Sequence, residues 1–96
     1  MPAAFWIAHV KVTDEAAYAE YAKRAPAAID AHGGKFLARG GKYEILEGAD
    51  RARHVVAQFP SLEAAHDCYH SPAYQEALSF AVNAAERDLM IVEALE

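Results

Sequence analysis

The sequence holds little that would support a disulfide, a membrane span or a polyanionic partner. Its single cysteine, Cys68, cannot form a disulfide within the chain, and this favours a reducing compartment. The 9 basic residues are outnumbered by 14 acidic ones, and the resulting net charge of −5 disfavours nucleic acid as a partner. No apolar run is long enough to span a bilayer. We therefore expect one cytoplasmic domain over residues 1–96, without nucleic-acid or membrane partners.

Hydrophobic periodicity predicts alternating strands and helices. Residues 4–12 are rich in aromatic and β-branched types, as in a strand, and a helical pattern follows from residue 15 to the stop at Gly33. Further strands are predicted at 35–39, 42–47, 52–59 and 88–95, and a helix that starts after Ser61 breaks and restarts at Ser71-Pro72. This order is the β-α-β-β-α-β arrangement of an α+β, ferredoxin-like sandwich. Its antiparallel sheet carries both helices on one face.

One side-chain phase of the predicted sheet mixes large apolar residues with polar ones. In the first strand that phase contains Phe5, Ile7 and His9, whereas the other phase is apolar and contains Trp6, Ala8, Val10 and Val12. A hairpin turn at 48–51 would align Ile45 with His54. The mixed face then collects Arg39, Tyr43, Ile45, Glu47, His54, Val56 and Gln58. Such a face is too apolar for solvent and too polar for a dry core. We therefore expect a second copy of the chain to cover it around a polar cavity.

The charged residues of this face have both functional and structural interpretations. Arg39 can bind a carboxylate ligand through two parallel hydrogen bonds, or it can form an interface salt bridge. A β-bulge at the adjacent glycines would move it to the other face. Glu47 is a candidate general base, and its alternative is an ion pair with Arg53. His9 and His54 are candidates for moving a proton, or are hydrogen-bonded interior histidines.

Four stretches carry a resemblance to a known family: VTDEAAYAEY, GGKFLARGGKYEILEG, FPSLEAAHDCYHSPAYQEA and LMIVEAL. Together they resemble the uncharacterised bacterial family that carries the domain-of-unknown-function label 1330. The resemblance implies a ferredoxin-like domain that dimerises into an α+β barrel, within a superfamily that includes cofactor-free monooxygenases, muconolactone-type isomerases and ligand-binding regulatory domains. It places the characteristic polar residues at Arg39, Glu47, Arg53, Ser71 and Tyr74.

The chain departs from the family pattern at two places. Ala49 and Asp50 stand where members often have an aromatic residue, and Gln58 stands where they often have an acid. If either position shapes a site, the ligand of this member differs from that of its relatives.

The sequence therefore predicts a homodimer that holds a small organic ligand, with several functions open. One is a cofactor-free isomerase or oxygenase-like enzyme acting on a carboxylate or enolate. It would use His9, His54 or Glu47 in catalysis, and would bind its ligand with Arg39, Tyr43, Arg53, Gln58, Ser71 or Tyr74. The alternatives are a non-catalytic ligand sensor and a purely structural homodimer. No metal is expected, because His66 and His70 at helical spacing have no third ligand placed near them by the sequence. No cofactor is expected either, and the sequence has no glycine-rich phosphate loop.

Overall fold

The computed structural model describes residues 2–96 as an antiparallel sheet packed on helices. The strands are β1 (Ala4–Val12), β2 (Lys35–Arg39), β3 (Arg53–Phe59) and β4 (Ala85–Glu93). The helices are α1 (Glu15–Ala31), α2 (Leu62–His70) and α3 (Pro72–Ser79). The strand order is β2-β3-β1-β4. The predicted ferredoxin-like fold is confirmed, with the second helical segment divided into α2 and α3.

The helices begin where the sequence provides capping residues. Asp14 caps α1 by accepting a hydrogen bond from the Ala17 amide at 3.2 Å. Ser61 and Ser71 cap α2 and α3 in the same way, and Pro72 occupies the first turn of α3. The break between α2 and α3 follows from this second cap. No helix within residues 2–96 is both long and apolar enough to cross a membrane.

Alternate residues of β1 separate the two faces of the sheet. Trp6, Ala8 and Val10 are buried beneath the helices, and the Trp6 indole donates a hydrogen bond to the Ala65 carbonyl at 3.1 Å. We call this side the helix face. Phe5 and Ile7 point to the opposite side, which no helix covers, and are only partly buried. We call that side the open face. The predicted division of β1 into an apolar and a mixed phase is confirmed.

The predicted strand at 42–47 and its hairpin with β3 are wrong. β2 ends at Arg39, and residues 40–52 form an exposed connection outside any strand. The last rung between β2 and β3 is the hydrogen bond from the Gly40 amide to the His54 carbonyl, at 3.0 Å. Gly40 then adopts a positive φ of 68°, which glycine tolerates far better than other residues, and the connection forms no further ladder with β3.

A bulge in β2 changes the face on which Arg39 lies. The register shifts between Phe36 and Ala38, so that Arg39 pairs with Val55. Val55 and the buried Ala57 belong to the helix face. The prediction that Arg39 shares the open face with His9 is therefore wrong, because the irregularity lies before Arg39 and reverses the alternation there.

Candidate functional site

Three arginines from three strands meet on the helix face. Val10 of β1 pairs with Arg53 on one side and with Arg87 on the other, so these two arginines flank it in adjacent strands. Arg39 approaches from β2, where its guanidinium lies 4.4 Å from the centre of the Phe36 ring. All three line a cavity of about 50 Å³ between α1 and the sheet. We call it the arginine cavity.

The remaining walls of the arginine cavity are apolar or aromatic. They include Trp6, Tyr18, Tyr21, Ala25, Ile29, Phe36, Val55, Ala57 and Leu89. The lining contains neither a carboxylate nor a histidine. Its volume admits a small group of a few heavy atoms, since a single water already needs roughly 10–15 Å³ of such space.

The three guanidinium groups lack a counter-ion within residues 2–96. Among residues 2–96, no carboxylate oxygen lies within 4.0 Å of the side-chain nitrogens of Arg39, Arg53 or Arg87. The Nε atoms of Arg53 and Arg87 are also buried without an acceptor in that part of the chain. Leaving buried charge and buried donors unsatisfied is costly. The arrangement is therefore complementary to an anion, which would accept these hydrogen bonds.

A pair of tyrosines supports Arg87. The Tyr21 and Tyr74 hydroxyls lie 2.8 Å apart, and Arg87 Nη2 donates to the Tyr21 oxygen at 2.9 Å and to the Tyr74 oxygen at 3.4 Å. Burial, together with the adjacent Tyr74 hydroxyl, raises the pKa of Tyr21 well above its usual range. Tyr21 therefore stays protonated at neutral pH and acts as a hydrogen-bond donor.

Counting hydroxyl protons shows that one of them is free. The bond between Tyr21 and Tyr74 uses one proton, while the contacts with Arg87 use only oxygen lone pairs. Tyr74 is completely buried and does not line the arginine cavity, whereas Tyr21 does. When Tyr74 donates to Tyr21, the Tyr21 proton is available to a group bound in the cavity.

The absence of a side chain at Gly40 leaves room for the Arg53 guanidinium. A Cβ atom at position 40 would lie 2.6 Å from Arg53 Nη1, far closer than a van der Waals contact, and the positive φ of Gly40 adds strain to any other residue. The same glycine therefore ends β2 and leaves space for a guanidinium group.

The two histidines form a separate site on the open face. His9 and His54 pair across β1 and β3, and their Nδ1 atoms lie 2.8 Å apart. They line a cavity of about 520 Å³ between the sheet and the 40–52 connection, which also contributes Tyr43 and Glu47. We call it the histidine cavity. The Tyr43 ring packs on the His54 ring with a centroid separation of 4.7 Å.

The predicted site residues are therefore divided between two faces. His9, His54, Tyr43 and Glu47 line the histidine cavity, while Arg39 and Arg53 line the arginine cavity. The prediction of one shared pocket is wrong for a single chain, because the two sets lie on opposite faces of the sheet. Whether any of these residues acts in catalysis or binding stays a prediction.

The other candidates have clear structural positions. The predicted ion pair between Glu47 and Arg53 is wrong, since no charged atoms of the two side chains lie within 4.0 Å of each other. A different arginine, Arg51, pairs with Glu86 and Asp88. Gln58 lies on the open face opposite Phe5, outside the lining of either cavity. The Ser71 hydroxyl is occupied in capping α3 and in donating to the Cys68 carbonyl at 2.7 Å.

Sequence reasoning missed Arg87 and Tyr21. The last strand was predicted to begin at residue 88, but β4 begins at Ala85, so Arg87 belongs to the strand. The alternation of Arg87 with Leu89 and Ile91 was the available signal for its place on the helix face. Nothing in the sequence showed that Tyr21 would meet Arg87.

Comparisons with known proteins agree with this fold. A family described as "Domain of unknown function (DUF1330)" matches residues 3–95. No curated protein matches the chain. A protein of unknown function from Rhodopseudomonas palustris superimposes with a TM-score of 0.82 at 20% identity, covering 99% of this chain and 84% of the other.

Two further solved structures share the fold at lower identity. One is SnoaB, a cofactor-independent oxygenase from Streptomyces nogalater, with a TM-score of 0.71, 12% identity, and coverage of 100% of this chain and 96% of the other. The other is a dimeric ferredoxin-like protein of unknown function from Jannaschia sp. CCS1. It has a TM-score of 0.70, 14% identity, and coverage of 96% and 99%. At these identities the likeness shows the fold alone.

Proposed function

This chain belongs to the DUF1330 family, and we propose that it binds a small organic carboxylate or enolate in the arginine cavity. The observation that supports this most directly is the convergence of three guanidinium groups on one cavity without a carboxylate partner among residues 2–96. Guanidinium groups bind planar oxyanions through two parallel hydrogen bonds. When the Tyr74 hydroxyl donates to Tyr21, the Tyr21 hydroxyl adds a further donor.

The shape of the cavity suggests how such a ligand would sit. The inner part is small and apolar, with Arg53 and Arg87 partly buried beside it, whereas Arg39 is exposed at the rim. An anionic oxygen pair near the inner arginines would gain charge-assisted hydrogen bonds in a poorly solvated place. The remainder of the ligand would extend past Arg39 towards solvent.

The same electrostatics can assist a reaction. Loss of a proton from carbon next to a carbonyl creates an enolate, and fixed positive groups around its oxygen lower the energy of that charge. This supports a cofactor-free isomerase or oxygenase-like activity, and SnoaB is itself a cofactor-independent oxygenase. In this function the arginines and Tyr21 stabilise the oxyanion.

A specific observation favours binding without turnover as the second candidate. The lining of the arginine cavity has no carboxylate or histidine to accept a proton, and His9 and His54 lie on the other side of the sheet. In that case the protein is a ligand sensor or carrier. Turnover would then require the substrate or a bound water to supply the base.

We also propose that two copies meet through their open faces. Phe5 and Ile7 are partly exposed there, and Met90 and Val92 of β4 are 50% and 45% exposed. A large apolar surface that is rimmed by polar groups is typical of an interface. The dimeric state of the Jannaschia protein supports a dimer as such. The cytoplasmic location stays a prediction from composition.

Matched ligand pairs test the anion-binding proposal. Isothermal titration with acetate, pyruvate and acetoacetate should show binding, whereas acetamide and pyruvamide should bind at least tenfold more weakly. Arg53→Gln should weaken the affinity for the carboxylates by roughly tenfold or more, the loss expected for one charge-assisted hydrogen bond. Lys23→Gln removes one exposed positive charge elsewhere and should leave affinity unchanged. Equal binding of acids and amides, or wild-type affinity in Arg53→Gln, would contradict the proposal.

Hydrogen exchange separates the enzyme from the sensor. With acetoacetate in deuterated water, an enolate-stabilising enzyme should speed incorporation of deuterium at the carbon next to the carbonyl, followed by NMR. Binding without any acceleration over buffer would support the sensor and exclude the enolising enzyme for this compound.

A further inference from the structure

The direction of the hydrogen bonds around the two histidines is fixed by a backbone carbonyl. His54 Nε2 lies 3.0 Å from the Arg51 carbonyl oxygen, which can only accept a hydrogen bond, so this nitrogen carries the proton. In the neutral ring, His54 Nδ1 then has a lone pair and accepts from His9 Nδ1, 2.8 Å away. His9 is thereby held with its proton on Nδ1 and a lone pair on Nε2.

The lone pair of His9 Nε2 has no donor within residues 2–96. His9 contacts no polar group of the described chain through that atom, although the residue is partly buried and lines the histidine cavity. The His54 ring cannot change its tautomer without losing its bond to Arg51, so the acceptor on His9 is fixed in place. A group bound beside it would need to donate a hydrogen bond.

The remaining walls of the cavity favour an uncharged aromatic compound. Tyr43, Ile45 and Leu46 supply apolar surface, and Tyr43 already packs on the His54 ring. Glu44 and Glu47 lie in the same lining, and the one arginine there, Arg51, is engaged by Glu86 and Asp88 at 3.8 and 3.5 Å. Anions are therefore disfavoured, in contrast to the arginine cavity. The volume of about 520 Å³ is sufficient for a ring compound.

The geometry points to the histidine cavity as a second ligand site, one that takes neutral phenol-type compounds and binds their hydroxyl group at His9 Nε2. The ring of the ligand packs against Tyr43 and Ile45, and its hydroxyl donates to His9. His54 acts as a positioning residue, since it holds His9 in the tautomer that leaves Nε2 free. This site is distinct from the anion site and does not depend on it, and in the proposed dimer it lies on the face that meets the second copy.

The test uses two ligands that differ at one position, where a methyl group in the second replaces the hydroxyl proton of the first. 4-Methylphenol should bind at least tenfold more tightly than its methyl ether, 4-methylanisole, because the ether has no proton to donate. In protein with 15N-labelled histidine, long-range NMR spectra of the free state should show His9 protonated at Nδ1 and His54 at Nε2. Addition of 4-methylphenol should shift the His9 Nε2 resonance.

Variants separate this site from the arginine cavity and from structural effects. His9→Asn keeps an amide donor for His54 but has no atom at the Nε2 position, so the preference for the phenol over the ether should disappear. Arg39→Gln and the exposed His66→Asn should both retain it. Equal binding of phenol and ether, no binding of either, an unshifted His9 resonance, or a preference that survives in His9→Asn would each overturn the inference. The NMR comparison on the wild-type protein stands even if His9→Asn fails to fold.

Discussion

Tyr21 and Tyr74 offer a matched pair of substitutions that separates stability from ligand binding. Either Tyr21→Phe or Tyr74→Phe removes the 2.8 Å hydroxyl–hydroxyl bond and one acceptor for Arg87. Losing a buried hydrogen bond of this kind costs about 1–2 kcal/mol. For a domain of this size each kcal/mol lowers the melting temperature by roughly 4–8 °C. Both variants should therefore melt about 5–15 °C below the wild-type protein.

The two variants should differ sharply in binding, because only Tyr21 lines the arginine cavity. A hydrogen bond to a charged ligand is worth about 1.5–3 kcal/mol, so Tyr21→Phe should weaken carboxylate affinity by roughly 10- to 100-fold. Tyr74→Phe should change carboxylate affinity by less than about threefold, because it only removes a contact that helps to position Tyr21 and Arg87. Calorimetric melting and isothermal titration with acetoacetate measure the two quantities. Equal losses of affinity in both variants, or full affinity in Tyr21→Phe, would refute the claim that the Tyr21 hydroxyl donates its proton to the ligand.

Three further predictions concern single positions. Gly40→Ala should weaken carboxylate binding by roughly tenfold, because its Cβ would lie only 2.6 Å from Arg53 Nη1 and would displace that guanidinium group. Unchanged affinity in isothermal titration would contradict a role of the Arg53 guanidinium in binding. Burial raises the pKa of the Cys68 thiol to about 11, so its labelling by iodoacetamide should stay slow until the pH approaches that value, and fast labelling at pH 8 would contradict its burial. Met90→Glu on the open face should dissociate the proposed dimer in sedimentation experiments, whereas Val82→Glu, at a position that is 64% exposed but lies outside the sheet, should not.

The sequence was sufficient for those parts of the fold that depend on local patterns. The alternation of Trp6, Ala8 and Val10 identified the buried phase of β1, and Ser61 and Ser71 identified the starts of two helices. These features depend on neighbours within a few residues, so a single chain reveals them.

The sequence was insufficient where placement depends on register. The residues from Tyr43 to Leu46 alternate like a strand, yet no ladder partner accepts them within the described chain, because the rung at Gly40 is the last one with β3. The bulge before Ala38 moves the Arg39 side chain to the other face of the sheet, and no glycine or proline in β2 indicates this bulge in the sequence. The meeting of Arg53 and Arg87 beside Val10 likewise follows from pairing between distant strands.

The most direct test is a crystal structure of the wild-type protein soaked with 3-bromopropionate, in which anomalous scattering locates the bromine. The predicted result is one bromine peak per protomer at the rim between α1 and the sheet, with the carboxylate within hydrogen-bond distance of Arg53 and Arg87. Density on the open face only, or an empty arginine cavity at saturating ligand, would contradict the proposed anion site.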